Sequence, residues 1–542
     1  MELRFCRSTP RRRNGKSRSA SVFLPLLLSR RQRAVPLSGR SIKREARGKL
    51  RRNAGRPAGV ARLPPWETGT AGRNRRGRIP RRRNARAAES LRIHRAVREG
   101  GSGLEKHILI LTTTKDFLGK FEQENVRLLQ EMGYVVHYAT NRREPAYLPG
   151  EQAAERLGVP VHHIEIARSP FMLENNEKAL RQLLWLLRRY PIRAIHCHTP
   201  VGGLLGRLAG RLCPEKDPVV IYTAHGFHFY KGAPVWNHLA YYPVERWLAR
   251  YTDILVVINQ EDYRTARRFR LKKGGLVYQI PGVGLNRERF RPLSAQERRL
   301  GRQRLGIGED AFFLVSVGEL NENKNQRVVL DALAAMKARD EDFPRLRYGI
   351  CGDGFFRERI KGWIRELGLA DTVILYGHRR DIPAVLGCAD AAVFPSIREG
   401  LGMAGLEALA MGIPVVASDN RGTREYMEPG KNGFVCPPHD VEGFIRGIEA
   451  VRRMPEEAKR EMAAFCREST EPFDIRHARE AMREIYAQAD RLVRAGRGAR
   501  PRHGALPIRL AAGRRESEKR PALPEAEERA VHKEAAGPWE TP

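Results

Sequence analysis

From residue 104 onward the chain alternates between two patterns. "HILILTTT", "YVVHYAT", "RAIHCH", "VVIYTAH" and "DILVVIN" are short apolar runs. Between them lie stretches with apolar positions three and four apart, such as "KFEQENVRLLQEMG" and "NEKALRQLLWLLRRY". The runs predict strands buried on both faces, and the stretches predict amphipathic helices. A second series, "FFLVSVG", "RLRYGICG", "TVILYG", "AAVFPS" and "IPVVAS", begins near Ala311. "QIPGVGLNRERFRP", rich in Gly and Pro and without a period, reads as the linker between them. After Pro472, "DIRHAREAMREIYAQADRLVRA" predicts one more amphipathic helix. The expected fold class is α/β, with two doubly wound Rossmann-like domains facing a cleft. The expected boundaries are 104–285 and 286–471 for the domains and 472–496 for the C-terminal helix. In such sheets ligands sit beyond the carboxyl ends of the strands, so a cleft between two of them suits a two-part ligand.

Charge changes the picture at the ends. The 542-residue chain carries a formal net charge of +37. Residues 1–103 alone hold 30 Lys and Arg against 5 Asp and Glu. This basic extension has few aromatics and no sustained apolar period, so it is expected to be disordered. Its one apolar run, "SVFLPLLLS", is too short for a bilayer span, which needs roughly 20 residues. It also lacks a clear cleavage site for a signal peptide. Residues 497–542 form an Arg-, Pro- and Glu-rich tail, likewise expected to be disordered. Seven cysteines lie singly, with no Cys-x-x-Cys pair and no zinc spacing, which suits a reducing cytoplasm and predicts no structural zinc.

Candidate chemistry concentrates in "PSIREGLGMAGLEALAMGIPVVASD". A helix is predicted from Met403 to Gly412, with Glu399 in the loop before it and Glu407 about one turn inside. Eight residues of helix span about 12 Å, wider than the ~5–9.5 Å between paired glycosidase carboxylates. The two groups can instead hold two ends of one extended ligand. Between them, Gly400, Leu401 and Gly402 leave the backbone N–H groups of the helix start open to an anion. Hydroxyl acceptor, phosphate donor, hydroxyl acceptor is the shape of a nucleotide sugar. The alternative for Glu407 is a buried structural carboxylate, and the same spacing in Glu358 and Glu366 reads as a solvated face.

The longer segment "PSIREGLGMAGLEALAMGIPVVASDNRGTREYMEPGKNGFVCPP" resembles the nucleotide-sugar motif of retaining GT-B glycosyltransferases of family 4, including its Glu-x7-Glu. "TAHGFHFYKGAP" is similar to the subgroup that makes bacterial capsular and exopolysaccharides. The similarity runs from about Leu104 to Ala495. It implies that Glu399 lies by the donor sugar, that Glu407 binds ribose hydroxyls, and that His225 approaches the donor sugar from the other domain. It makes 104–285 the acceptor domain and 286–471 the nucleotide-sugar domain. "VSVGELNENKN" supplies Gly318 for a tight turn and Lys324 for the diphosphate, but Glu319 stands where the family commonly has Arg. "YGHRRDIP" resembles the loop near the nucleobase and brings in His378. His198, in "HCHTPVGG", is a further candidate at a strand end.

The resulting expectation is sugar transfer with retention from a nucleotide sugar, a UDP-sugar first, to a saccharide or polyprenyl-diphosphate-linked saccharide. No Asp-x-Asp appears in the cleft loops, so metal independence is expected, with no cofactor beyond the donor. Six basic residues from Arg264 to Lys273 fit an anionic membrane surface, consistent with a cytoplasmic enzyme attached peripherally to the inner face of the cell membrane. Two rivals remain: a sugar-nucleotide epimerase or hydrolase of the same fold, and a nucleic-acid binder acting through the Arg-rich arm. The arm has no interleaved aromatics, which ranks the last reading third.

Overall fold

The computed structural model describes residues 106–143, 150–339, 343–496 and 507–509. The basic extension 1–103 and most of the tail 497–542 lie outside the described residues. The described residues all belong to the unit Glu105–Pro542.

Among the described residues fourteen strands build two sheets. The first contains β1 (Lys106–Leu111), β2 (Tyr134–Thr140), β3 (Val161–His163), β4 (Ile192–His198), β5 (Val219–Ala224), β6 (Ile254–Val257), β7 (Leu276–Gln279) and β14 (Pro507–Arg509). Its order is β14-β7-β6-β5-β4-β1-β2-β3. The second contains β8 (Phe312–Val317), β9 (Leu346–Cys351), β10 (Val373–Gly377), β11 (Ala391–Phe394), β12 (Val415–Ser418) and β13 (Gly433–Cys436), in the order β10-β9-β8-β11-β12-β13. All pairings are parallel. The order reverses between β1 and β4 in one sheet and between β8 and β11 in the other. Each reversal opens a crevice at the carboxyl ends of the strands.

Alternate residues feed opposite faces of each sheet. Leu109, Ile195, Val220 and Leu255 enter one cluster, while Ile108, Ala194, Ile221 and Ile254 enter another. The second cluster continues through Phe313, Val315, Leu406 and Val415 of the second lobe. It also takes in Met482, Ile485, Tyr486 and Ala489 of the C-terminal helix Ile475–Ala495. That helix follows the second sheet in sequence yet packs on the first. His196 Nδ1 lies 3.0 Å from Tyr486 Oη, and Asp490 pairs with Lys106 and accepts from Tyr134. Each large apolar side chain buried there contributes about 1.5–3 kcal/mol, which ties the two lobes through one core.

One short segment of the tail lies among the described residues. Pro507–Arg509 pairs in parallel with β7. β7 would otherwise be an edge strand with unpaired backbone groups, and the short run "PIR" supplies a partner that bulk composition conceals. The sequence patterns also passed over β3, β7 and β13. All three are short, and β3 and β13 are only partly buried, unlike the equally short but fully buried β6, β11 and β12.

Candidate active site

The crevice of the second sheet gathers three of the expected residues. Gly318 follows β8, Lys324 closes the turn Glu322–Lys324, and Glu399 lies in the loop after β11. Asn321 caps the turn by accepting from the Lys324 backbone N–H at 3.1 Å. Lys324 Nζ then donates to Glu399 Oε1 at 2.6 Å, with the two side chains 22% and 16% exposed. A Cβ on Gly318 would stand 3.2 Å from Lys324 Cε, so the glycine leaves room for the lysine stem. Asn323 stitches the two loops together: its side chain donates to the Arg398 carbonyl at 2.9 Å, and its own carbonyl accepts from the Ile397 N–H at 2.8 Å. In "CGDG", a Cβ on Gly352 would come 1.8 Å from the Gly318 carbonyl, so close packing requires that glycine.

The Glu399–Leu401 loop is pressed against the first lobe. A Cβ on Gly400 would meet the His225 carbonyl at 2.0 Å, and Leu401 is buried against Gly282. Asn259 caps its helix by accepting from the Asp262 N–H at 2.8 Å and uses its amide N–H to hold the Gly400 carbonyl at 3.0 Å. Small residues here therefore serve lobe contact first. Gly402, at φ +90°, precedes the helix Met403–Ala410, whose start has no side-chain cap.

Glu407 is half-buried on that helix and makes no hydrogen bond among the described residues. Burial pushes its carboxyl up to about 7, and the charges of Arg289 and Lys324 oppose the shift. Lys324 thus bonds one of the paired carboxylates and acts through space on the other. His225, at the carboxyl end of β5, is half-buried, with its ring 5.4 Å from that of Phe117. Burial lowers it to about 4, so the imidazole is neutral. His378 stands apart. It is exposed at the end of β10, an edge strand two places from β8.

Several residues that the sequence gave no reason to single out complete the arrangement. Arg421, in "DNRGTRE", is buried; it donates to Asp262 Oδ1 at 2.8 Å and to the Phe227 carbonyl at 2.7 Å, both in the first lobe. Burial raises the Asp262 carboxyl although Arg421 pulls it down. Arg289 comes from the linker, where composition suggested only a connection. Among the described residues one set, Glu122, His198 and His225, has its potential metal-ligand atoms within 4.8 Å of one another. No motif spacing could show it, because its members come from the ends of different strand–helix units.

The chain is similar to known proteins. The description "Glycosyl transferases group 1" matches residues 297–465, and "Glycosyl transferase 4-like domain" matches residues 120–278. The putative glycosyltransferase EpsD of Bacillus subtilis is 40% identical over 384 residues, covering 71% of this chain and 97% of that protein. An Escherichia coli UDP-Gal:alpha-D-GlcNAc-diphosphoundecaprenol alpha-1,3-galactosyltransferase is 28% identical, covering 57% of this chain and 79% of that protein. In structure, Anabaena Alr3699/HepE in complex with UDP and glucose superposes with a TM-score of 0.58 at 19% identity. That likeness covers 71% of this chain and all of the other.

Proposed function

Because the chain belongs to the GT-B glycosyltransferases and resembles the bacterial exopolysaccharide enzymes, we propose that it transfers a sugar from a UDP-sugar to a lipid-linked saccharide with retention. It is a glycosyltransferase of polysaccharide biosynthesis; the donor, the acceptor and the stereochemistry are our reading. The observation that carries that reading is the Lys324–Glu399 pair, seated in the switch crevice of one lobe beside the His225 strand end of the other. A departing diphosphate needs a cation where charge develops, and Lys324 is placed to supply it. Glu399 holds that cation until the donor arrives, and then accepts hydroxyls of the donor sugar. Glu407, without a hydrogen-bond partner among the described residues, accepts from the ribose hydroxyls.

Retention proceeds through same-face attack within an ion pair. The glycosidic bond to the diphosphate breaks as the acceptor oxygen bonds to the anomeric carbon, and the diphosphate oxygen takes the acceptor's proton. That step uses no protein nucleophile and no metal ion. The relative named for a diphosphoundecaprenol acceptor supports a lipid-linked acceptor here. No helix among the described residues is long and apolar enough to cross a membrane. A lipid-borne substrate is then reached from the membrane surface through the first lobe. Five of the six basic residues expected there, Arg264, Arg267, Arg268, Arg270 and Lys273, are exposed. The sixth, Lys272, is committed to Asp253 at 2.7 Å. Phe269 packs them against the helix Val235–Leu248, which exposes Val235, Trp236 and Leu239 on neighbouring turns.

The test is a panel of radiolabelled UDP- and GDP-sugars with lipid extract, read as label transferred to the lipid phase. A UDP-sugar should support transfer, and Glu407→Ala should lower it at least tenfold at subsaturating donor. Unchanged turnover in Glu407→Ala would remove the nucleotide assignment, and an inverted product anomer would remove retention.

A further inference from the structure

Behind His225 the first lobe holds two polar groups with no role so far. His225 Nε2 lies 3.1 Å from His198 Nδ1. On the far side of the His198 ring, Nε2 lies 3.6 Å from Glu122 Oε2 and has no hydrogen-bond partner among the described residues. The His198 and Glu122 side chains are each only 1% exposed. They come from separate places: Glu122 from the turn after β1, His198 from the end of β4, His225 from the end of β5. The first two flank the switch point of their sheet, as Lys324 and Glu399 flank that of the other.

We propose that Glu122 and His198 are positioning residues that fix the proton arrangement of His225, so that its remaining nitrogen, Nδ1, meets the substrate as an N–H donor. This deepens the transferase reading above and rests on it. A neutral imidazole has one N–H and one acceptor nitrogen, so a chain of them has a direction, and its far end decides which. Burial pushes Glu122 up to about 8, with the Asn125 hydrogen bond opposing, so this carboxyl carries a proton at neutral pH. The orphaned His198 Nε2 is the acceptor facing it. At 3.6 Å the two are not yet hydrogen-bonded, and a side-chain torsion of Glu122 closes the gap. His198 Nε2 then accepts, His198 Nδ1–H donates to His225 Nε2, and the His225 proton is left on Nδ1. Burial keeps His198 and His225 neutral, so no second proton blurs the direction. Nδ1 of His225 makes no hydrogen bond among the described residues.

If Glu122 ionises, it accepts from His198 and the chain reverses, leaving Nδ1 without a proton. The groups facing Glu122 are Glu124 and Asn125 on its own segment, His198 and His225 from the strand ends, and Arg479 and Tyr486 from the C-terminal helix. Arg479 is engaged with Glu131 and Glu124. The same three groups also suit a divalent cation. The 3.1 Å contact favours the chain, because two nitrogens sharing one proton cannot both offer lone pairs to an ion.

The experiment uses the full-length protein labelled with 15N-histidine, without substrate, and reads the tautomer of His225 from two-bond nitrogen–proton correlations. Nδ1–H is expected in the parent chain and in Glu122→Gln, whose amide also donates, but not in Glu122→Ala. In turnover, Glu122→Gln should stay within about threefold, while Glu122→Ala and His198→Ala lose about tenfold or more in kcat with donor KM little changed. The parent kcat should fall above pH 8 as the chain reverses, and Glu122→Gln should remove that limb. An Nε2–H tautomer in the parent, a Gln variant as impaired as the Ala one, or a stoichiometric divalent metal in the purified protein would each overturn the proposal. Absence of transfer with every sugar donor fails the transferase reading instead, since the spectrum needs no substrate.

Discussion

At the switch point of the second sheet the flanking groups are charged, and at the same place in the first sheet they are neutral. Lys324 and Glu399 form an ion pair, with Arg289 and Glu407 nearby. Glu122, His198 and His225 are held neutral by burial. One strand order thus produces two crevices of opposite electrostatic character, and the difference follows from solvent. The second crevice keeps its ionised pair partly exposed, whereas the first closes over its groups, where charge is expensive. The donor half of a nucleotide sugar has the same asymmetry, with an anionic diphosphate joined to a sugar that carries only neutral hydroxyls.

The largest effect should come from removing the charge in the second lobe. Lys324→Ala takes away the cation and also leaves Glu399 beside the developing diphosphate. Loss of one such electrostatic contact typically costs about 10²–10³ in kcat. We expect a fall of that size in kcat under saturating donor, against the threefold or smaller change for Glu122→Gln. If both variants fell equally, the contrast between charged and neutral crevices would be lost.

How visible was this asymmetry from the residues alone? The charged crevice was legible. Glu399 and Lys324 follow strands with clear patterns, and Glu407 sits on the helix Met403–Ala410, which lies where small residues and Gly412 predicted it. The neutral crevice was legible only in part: His198 and His225 were singled out at strand ends, and Glu122 was not. Glu122 sits in "KFEQENVRLLQ", which reads as a plain amphipathic helix, yet residues Leu118–Glu122 form a π-helical turn before the α-helix begins. Such a turn rotates the following face by about one residue, so a 3.6-residue period assigns Glu122 to the wrong side. The His196–Tyr486 contact joins positions 290 apart, and no local pattern encodes it. Arg421 was hidden for the same reason, its partner Asp262 being 159 residues away.

A middle-sized effect should separate Glu407 from its neighbours by pH. Its carboxyl titrates near 7 because burial raises it. An ionised carboxylate accepts hydroxyl hydrogen bonds better than a protonated one. Donor affinity should therefore strengthen as pH rises from 6 to 8, by about tenfold for a group that ionises midway. In the folding balance the sign is opposite, since the unfolded chain ionises this group first and gains relative stability as pH rises to 7. Glu407→Gln should flatten the affinity profile while leaving the alkaline limb from Glu122 in place. A flat donor profile in the parent chain would mean that Glu407 does not meet the ribose.

The smallest effects concern the outer surface, where the lobes also differ. Large exposed apolar side chains cluster on the first lobe, Trp236 at 78% exposure among them. Basic residues near an anionic surface contribute about 1 kcal/mol each, roughly fivefold in partitioning. Arg267→Gln or Arg268→Gln should each weaken binding to anionic vesicles by about that factor, and less at high salt. Arg339→Gln, on the second lobe and paired with Glu442, should leave binding unchanged. Lys272→Gln is the sharper control within the first lobe. Its charge is already offset by Asp253, so it should lower stability more than it lowers vesicle binding. Equal losses in all four variants would mean that net charge alone, rather than a face of the first lobe, governs vesicle binding.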